Sequence, residues 1–220
     1  MFPADDKHAD ILRLMIAKNV LDTLHRCIHA IDCGSLDGRS DANYFRAGIS
    51  SLMLLSCGVL KEGIDSFAEL HTEGWFKDIA NFMQSNICNN QTDYFLGLQY
   101  EIDNIADKQS DTYRLLKDCL RDRAGVHFPR KPAKDYLQIA AEQDVFLYES
   151  ADLGDGKFAH RHLLADEAQS WMAFQGKWKS EEEMRRDLEN KFRMIHESIQ
   201  RFIRVCDVFL PLHYKMKQSS

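Results

Sequence analysis

The stretch SEEEMRRDLENKFRMIHESIQRFIRVCDVFLP, residues 180–211, carries the clearest helical signal in the chain. Ser180 and Glu183 form a capping box that marks a helix start, and Pro211 marks a stop. Between them, apolar residues recur at alternating steps of four and three: Met184, Leu188, Phe192, Ile195, Ile199, Phe202, Cys206 and Phe209. The pattern predicts a long helix over about Glu181–Phe209, packed in a bundle or, alternatively, in a dimeric coiled coil.

Toward the N-terminus, the same periodicity predicts further helices. The first covers about Lys7–Cys33, with an apolar stripe of Leu12, Ile16, Val20, Leu24, Ile28 and Ile31. The second helix is predicted from Ser40 or Asp41 to Gly63, and the third from Ile64 to about Ile87 with an interruption near Gly74. The fourth runs from Gln91 to Ile105, and the fifth begins at about Asp111. Two short helices are predicted near Lys134–Glu142 and Asp166–Gln175. Short connections between such helices predict an antiparallel bundle.

A different pattern appears where Val145–Tyr148 and Lys157–Leu163 flank the turn sequence Leu153-Gly154-Asp155-Gly156. Apolar and β-branched or aromatic residues around such a turn predict a β-hairpin, here a lobe at about 144–164. The expected fold class is therefore all-α: an antiparallel helical bundle with a small β-hairpin insertion and a long C-terminal helix. A chain of 220 residues predicts one domain over 1–220.

Composition narrows the functional classes. With 45% hydrophobic and 28% charged residues, the chain is globular, and its net charge of −6 gives no broad basic field for duplex DNA, although a local basic patch is compatible with it. Neither an apolar run of about 18 residues nor a signal-peptide layout is present, which predicts a cytoplasmic protein with no membrane partner. Six cysteines without a Cys-x-x-Cys pair are expected to be reduced.

The segment Arg121-Asp122-Arg123-Ala124-Gly125-Val126-His127 combines a permanent cation with a group that titrates near neutral pH. RNA can be cleaved without metal when its 2′-hydroxyl attacks the adjacent phosphorus, provided that a side chain moves protons and a cation stabilises the developing charge. We expect His127 in the first role and Arg121 in the second. Glycine-rich phosphate loops, dinucleotide fingerprints and Gly-x-Ser-x-Gly are absent, and no cofactor is expected.

This motif resembles that of the HEPN superfamily, small all-α proteins whose ribonuclease members carry Arg, a polar residue, and then His after four to six intervening positions. The helix that begins Asp41-Ala42-Asn43-Tyr44-Phe45-Arg46 is similar to the family's aromatic-Arg second helix. The resemblance covers about residues 7–130. The stretch Leu120–Phe128, with the hairpin and long helix after it, is similar to a group of bacterial HEPN-like proteins.

The resemblance implies a metal-independent endoribonuclease whose site forms at a two-fold homodimer interface, with RNA as substrate. Catalysis would fall to Arg121, Asp122 and His127, with Asp122 orienting Arg121 or the substrate hydroxyl. Arg123 and Arg46 would bind substrate. Other family members have lost catalysis, so the alternative is a non-catalytic helical interaction or dimerisation protein.

The same residues also allow a purely structural interpretation. Arg121 and Arg123 would bridge acidic neighbours while His127 caps a helix C-terminus. The sequence departs from a regular helix at Gly125 and Pro129, which could move His127 away from Arg121.

Three other groups carry weaker signals. His25, His29 and Cys33 share one face of the first predicted helix, but the outer two are about 12 Å apart along the axis, too far for one tetrahedral metal centre. His160 and His162 share one side of a predicted strand without a third ligand. Three tryptophans could form a ligand platform, although core positions are the commoner use of Trp75, Trp171 and Trp178.

Overall fold

The computed structural model describes residues 5–32, 42–86, 92–118, 149–152, 158–161 and 180–218. Within these ranges lie six helices: α1 (Asp6–Asp32), α2 (Ala42–Thr72), α3 (Trp75–Asn86), α4 (Thr92–Ala106), α5 (Asp111–Asp118) and α6 (Glu181–Gln218). Two short strands, β1 (Glu149–Asp152) and β2 (Phe158–Arg161), pair antiparallel, with Glu149 opposite Arg161. The all-α class is thus confirmed over the described residues.

Several predicted elements lie outside these residues. They include the short helices near 134–142 and 166–175, the predicted strand at 145–148 and the turn at 153–156. The hairpin lobe at about 144–164 and the antiparallel order of the bundle stay predictions.

The start of α6 is set by its capping residue. The Ser180 hydroxyl oxygen accepts the backbone N–H of Glu183 at 3.2 Å. That bond satisfies one of the amide groups that have no partner inside the first helical turn. The predicted helix start and the capping role of Ser180 are therefore confirmed.

Gly63 does not end a helix, and the prediction that it would is wrong. The helix α2 continues through Gly63 to Thr72. A Cβ atom at position 63 would lie 2.5 Å from Cζ of Phe202 and 3.2 Å from Cβ of Ala17. Glycine stands at position 63 because α1 and α6 approach the backbone of α2 closely. The helix break comes instead at Gly74, whose φ of 76° suits glycine.

Pro211 does not end α6, so the predicted stop is also wrong. The helix continues to Gln218 with Pro211 inside it. Proline has no N–H group, so the carbonyl of Asp207 loses its helical donor at this turn. The helix persists beyond it because His213 is buried and accepts a hydrogen bond from the Trp75 indole.

The buried face of α1 differs from the predicted stripe. Its core residues are Ile11, Leu14, Ala17, Leu21 and Leu24. Of the predicted stripe, Leu12, Ile16 and Val20 are exposed by 56%, 55% and 37%, whereas Leu24 is buried. Both stripes have helical spacing, so periodicity alone could not choose between them, and tertiary packing decided.

The chain divides into two compact units. Unit 1 comprises residues 1–22, 59–114 and 194–220. Its described core contains an aromatic cluster in which the Phe76 ring lies 4.4 Å from Phe67, 4.8 Å from Trp75 and 5.1 Å from Phe209, between ring centroids. The apolar face of α6 packs into the core of the chain itself. Its residues Ile195, Ile199, Phe202, Cys206 and Phe209 are buried. That burial favours the bundle alternative for this part of α6.

Unit 2 comprises residues 23–58 and 115–193. Among its described residues, those buried are Leu24, Met53, Leu54, Ser56, Cys57 and Leu116. The β1–β2 pair also belongs to this unit. The assignment of one domain over 1–220 stays a prediction. Among the described helices, none is long and apolar enough to cross a membrane.

Candidate functional site

The predicted catalytic residues Arg121, Asp122 and His127 lie outside the described residues, as does Arg123. Arg46 lies in the second turn of α2, where only the backbone is described. The structure therefore does not test whether these side chains converge. It does describe α5, which ends at Asp118, three positions before Arg121.

The first turn of α5 is fixed by hydrogen bonds. The Ser110 hydroxyl oxygen accepts the backbone N–H of Tyr113 at 3.2 Å and so caps the helix. The Tyr113 hydroxyl donates to Asp65 of α2 at 2.8 Å, and the Ser198 hydroxyl of α6 donates to Thr112 at 3.3 Å. The start of α5 is thereby held to two other helices of unit 1.

Asp65 is the hub of a half-buried polar network. Besides the Tyr113 hydroxyl, its carboxylate binds the Lys61 ammonium at 2.7 Å and the Lys108 ammonium at 3.4 Å. Burial alone would raise the pKa of this carboxyl, but the hydrogen bonds from Lys61 and Tyr113 and the nearby positive charges outweigh it and lower the pKa. The pKa of Tyr113 is raised by burial and by its bond to the Asp65 carboxylate. Asp65 therefore stays ionised and holds α2 to α5.

A cavity of about 100 Å³ lies beside this network in unit 1. Its polar lining is Asn104, Ser110, Thr112, Ser198 and Arg201, and its apolar lining is Leu60, Ile64, Ile105 and Phe202. Arg201 is paired through its Nε with the Glu101 carboxylate. Because that carboxylate balances the one charged side chain of the described lining, the cavity suits water or a small uncharged polar group.

This cavity does not supply the chemistry that the sequence predicts. Its described lining includes no histidine, so no described group there titrates near neutral pH. Its one cation is already neutralised by Glu101. The described lining of the cavity therefore offers neither of the two roles that the sequence assigns to His127 and Arg121.

A second polar group, which sequence reasoning missed, lies where α1 begins, α3 begins and α6 ends. We call Asp5, His8, Trp75 and His213 the terminal histidine cluster. The Trp75 indole N–H donates to Nδ1 of His213 at 3.1 Å, and both side chains are buried. The His8 ring lies 6.0 Å from the His213 ring, between centroids, and its Nδ1 lies 2.6 Å from Oδ1 of Asp5. The same Asp5 oxygen accepts the backbone N–H of His8 at 2.9 Å and caps α1.

Titration within this cluster is shifted. The pKa of Asp5 is lowered by its hydrogen bonds from the backbone and then the ring of His8. The pKa of His213 is lowered first by burial and then by the nearby charges of His8, Lys217 and Lys7. His213 is thus held neutral. Sequence reasoning had no signal for this role, since it placed His213 beyond the end of the helix.

The metal alternatives find no support among the described residues. In that part of the chain, no group of three or more His, Cys, Asp or Glu side chains could hold a metal ion. His25 and His29 lie on α1, but the third member of their set, Cys33, is outside the described residues. His160 lies in β2 and His162 is outside.

Of the three tryptophans, the described one is a core residue. Trp75 is fully buried among Phe76, Phe209 and His213. Trp171 and Trp178 lie outside the described residues. Trp75 is therefore no surface platform for a ligand.

Comparison with known proteins returns no family model, no curated protein and no solved structure that matches this chain.

Proposed function

We propose that the protein is a HEPN-like, metal-independent endoribonuclease that acts as a dimer. The observation that carries the proposal is the sequence Arg121-Asp122-Arg123-Ala124-Gly125-Val126-His127. It follows α5 in an all-α chain. This is the order in which the HEPN ribonucleases, which the motif resembles, present their Arg and His.

The proposed reaction needs only side chains of this chain. His127 takes the proton from the 2′-hydroxyl, whose oxygen attacks the adjacent phosphorus. The 5′ oxygen leaves and receives a proton from the His127 imidazolium. Arg121 binds the phosphoryl oxygens as negative charge develops on them. The products are a 2′,3′-cyclic phosphate and a 5′-hydroxyl, so no water, metal or redox partner is consumed in the step.

The other residues position the substrate. Asp122 orients the Arg121 guanidinium or the attacking hydroxyl, and Arg123 and Arg46 bind phosphate groups. The fixed start of α5 supports the proposal, because catalytic groups need a rigid element beneath them. The bonds Tyr113–Asp65 and Ser198–Thr112 fix that start, at Tyr113 and Thr112, eight and nine positions before Arg121 in the sequence.

The test is RNA cleavage in the presence of a chelator. We expect the wild-type protein to cut single-stranded RNA, and His127→Ala or Arg121→Ala to lower the rate by about 100-fold or more. Circular dichroism checks that both variants are folded.

Two control substitutions lie outside the motif. His71 is an exposed histidine bound to Asp103, and Arg114 is an exposed arginine of α5. His71→Ala and Arg114→Ala should cleave at the wild-type rate. Equal losses in the control and motif variants, or an inactive wild-type dimer, would argue against a nuclease.

The second candidate function is a non-catalytic helical dimerisation protein, and a specific observation favours it. Leu12, Ile16 and Val20 form an exposed apolar stripe on α1. Exposed apolar patches on soluble proteins often mark protein interfaces. In this alternative a second copy of the chain covers the stripe.

Matched substitutions test that alternative. Leu12 and Leu55 are exposed to nearly the same extent, 56% and 54%, on different helices. If α1 forms the dimer, Leu12→Glu should give monomers by light scattering coupled to size-exclusion chromatography, whereas Leu55→Glu should not. A dimer that survives Leu12→Glu, or a monomeric wild type, removes this candidate.

A further inference from the structure

The terminal histidine cluster is outside the nuclease motif and has no role in the proposed reaction. In this cluster the buried His213 imidazole accepts a hydrogen bond that requires the ring to be neutral. The helix that carries His213 also contains a proline, Pro211. Together these features link the protonation state of His213 to the conformation of the end of α6.

The hydrogen bond fixes the protonation state of His213. The Trp75 indole N–H can only donate, and it does so to Nδ1 of His213 at 3.1 Å. Nδ1 must therefore carry the lone pair, and the single ring proton lies on Nε2. A second proton on the ring would place two N–H donors against each other in a site where Trp75 is 0% and His213 is 1% exposed.

We propose that the terminal histidine cluster is an acid-sensitive latch, in which protonation of His213 separates the last turns of α6, residues 212–218, from α1 and α3. The closed state is the neutral one. The open state returns the imidazole to water, where it binds a proton readily.

The charges that face His213 support this coupling. From α1 come Lys7 and the His8 ring, and from α6 itself comes Lys217. These groups and burial oppose a positive charge on His213 and lower its pKa.

The nearby acids are engaged elsewhere. Asp5 is bound to His8, and Asp78 of α3 is bound to Lys7 at 3.3 Å. Tyr214 lies beside His213 with its ring centroid 6.1 Å away, and its hydroxyl donates to the sulfur of Met15.

Pro211 provides the hinge. It lies two positions before His213, and the carbonyl of Asp207 has no proline N–H to accept. The residues just before it, Phe209 and Leu210, are buried and stay with the core. Opening can therefore begin at Pro211 while Phe209 and Leu210 stay buried.

The expected pH dependence follows from linkage. Below the ordinary imidazole pKa of about 6.5, the open state binds one proton more than the closed state, so the opening constant rises by up to about tenfold per pH unit. The rise stops when the pH falls below the lowered pKa of closed His213.

Hydrogen exchange of the intact protein measures this opening. We expect the backbone amides of residues 212–218 to lose protection between pH 7.5 and pH 5, by at most about 30-fold, after correction for the intrinsic exchange rate. Amides of residues 195–206 should keep theirs. Loss of protection throughout α6 would indicate general unfolding and overturn the proposal, as would constant protection at 212–218.

His213→Gln provides the decisive variant, because its amide oxygen can accept the Trp75 N–H but cannot be protonated. Its protection at 212–218 should not change with pH. The matched control is His196→Gln, on the same helix but outside the cluster, where the ring contacts Gln200; it should respond as the wild type does. A pH response retained in His213→Gln overturns the latch.

A measurement on the wild type stands even if His213→Gln does not fold. The indole N–H resonance of Trp75, assigned with Trp75→Phe, should lose its exchange protection with the same midpoint as the amides of 212–218. An indole proton that stays protected from pH 7.5 to pH 5 overturns the latch.

Discussion

At the scale of single residues, Gly63 has less room for a side chain than Gly74 or Gly97. A Cβ there would lie 2.5 Å from the fully buried Phe202 ring, which would have to shift. The strain of about 1–3 kcal/mol exceeds the gain in helix propensity of about 1 kcal/mol. Gly63→Ala should therefore lower the free energy of unfolding by about 1 kcal/mol, measured by urea denaturation.

Gly97 is the matched control for that substitution. It lies inside α4 and is exposed, with nothing within 4 Å of the position that a Cβ would take. Gly97→Ala should stabilise the protein by about 0.5–1 kcal/mol through helix propensity alone. Effects of the same sign at both positions would contradict the close approach of Phe202.

At the scale of elements, the proline in α6 has a cost that can be measured. Pro211→Ala restores an N–H donor to the Asp207 carbonyl, in a helix that continues to Gln218. An exposed alanine at this position should raise the free energy of unfolding by about 1–3 kcal/mol, seen as a higher melting temperature. An unchanged or lower melting temperature would mean that the proline is not a weak point of α6.

Element boundaries were predictable where the signal is local. The capping bond from Glu183 to Ser180 and the break at Gly74 each depend on a few adjacent residues. The helix ends predicted at Gly63 and Pro211 were wrong because the roles of these residues depend on distant partners. The partner of Gly63 is Phe202, and the helix continues past Pro211 because of the Trp75–His213 bond. The buried face of α1 was misassigned because that helix carries two apolar stripes.

The two candidate sites also differ in whether the local sequence could predict them. The Arg121–His127 motif is contiguous in the sequence, so it could be found by spacing. The Trp75–His213 bond joins residues 138 positions apart, and no pattern in either segment predicts it. Packing of α3 against the end of α6 creates that cluster.

For the molecule as a whole, stability should fall in two acid stages. His213, whose pKa is lowered by burial, contributes stability at neutral pH that is lost as the pH falls from about 6.5 through its lowered pKa. Asp65, whose pKa is lowered by Lys61 and Tyr113, contributes stability above about pH 4 that is lost as the pH falls further.

Asp65→Asn isolates the second stage. It cannot ionise, so it should be less stable than the wild type at pH 7, and the difference should shrink below about pH 4 as wild-type Asp65 becomes protonated. Melting temperatures from pH 7 to pH 3 measure it. A difference that stays constant over this range would show that the charge of Asp65 contributes nothing.

The most direct measurement of the central claim is the chemistry of the RNA ends that the protein produces in a chelator. Attack by the 2′-hydroxyl predicts 2′,3′-cyclic phosphate and 5′-hydroxyl ends by mass spectrometry, and no cleavage where the attacking nucleotide is 2′-deoxy. Both results should disappear in His127→Ala. Cleavage that requires a divalent metal and leaves 5′-phosphate ends, or an intact substrate with the wild-type protein, would contradict the proposed nuclease.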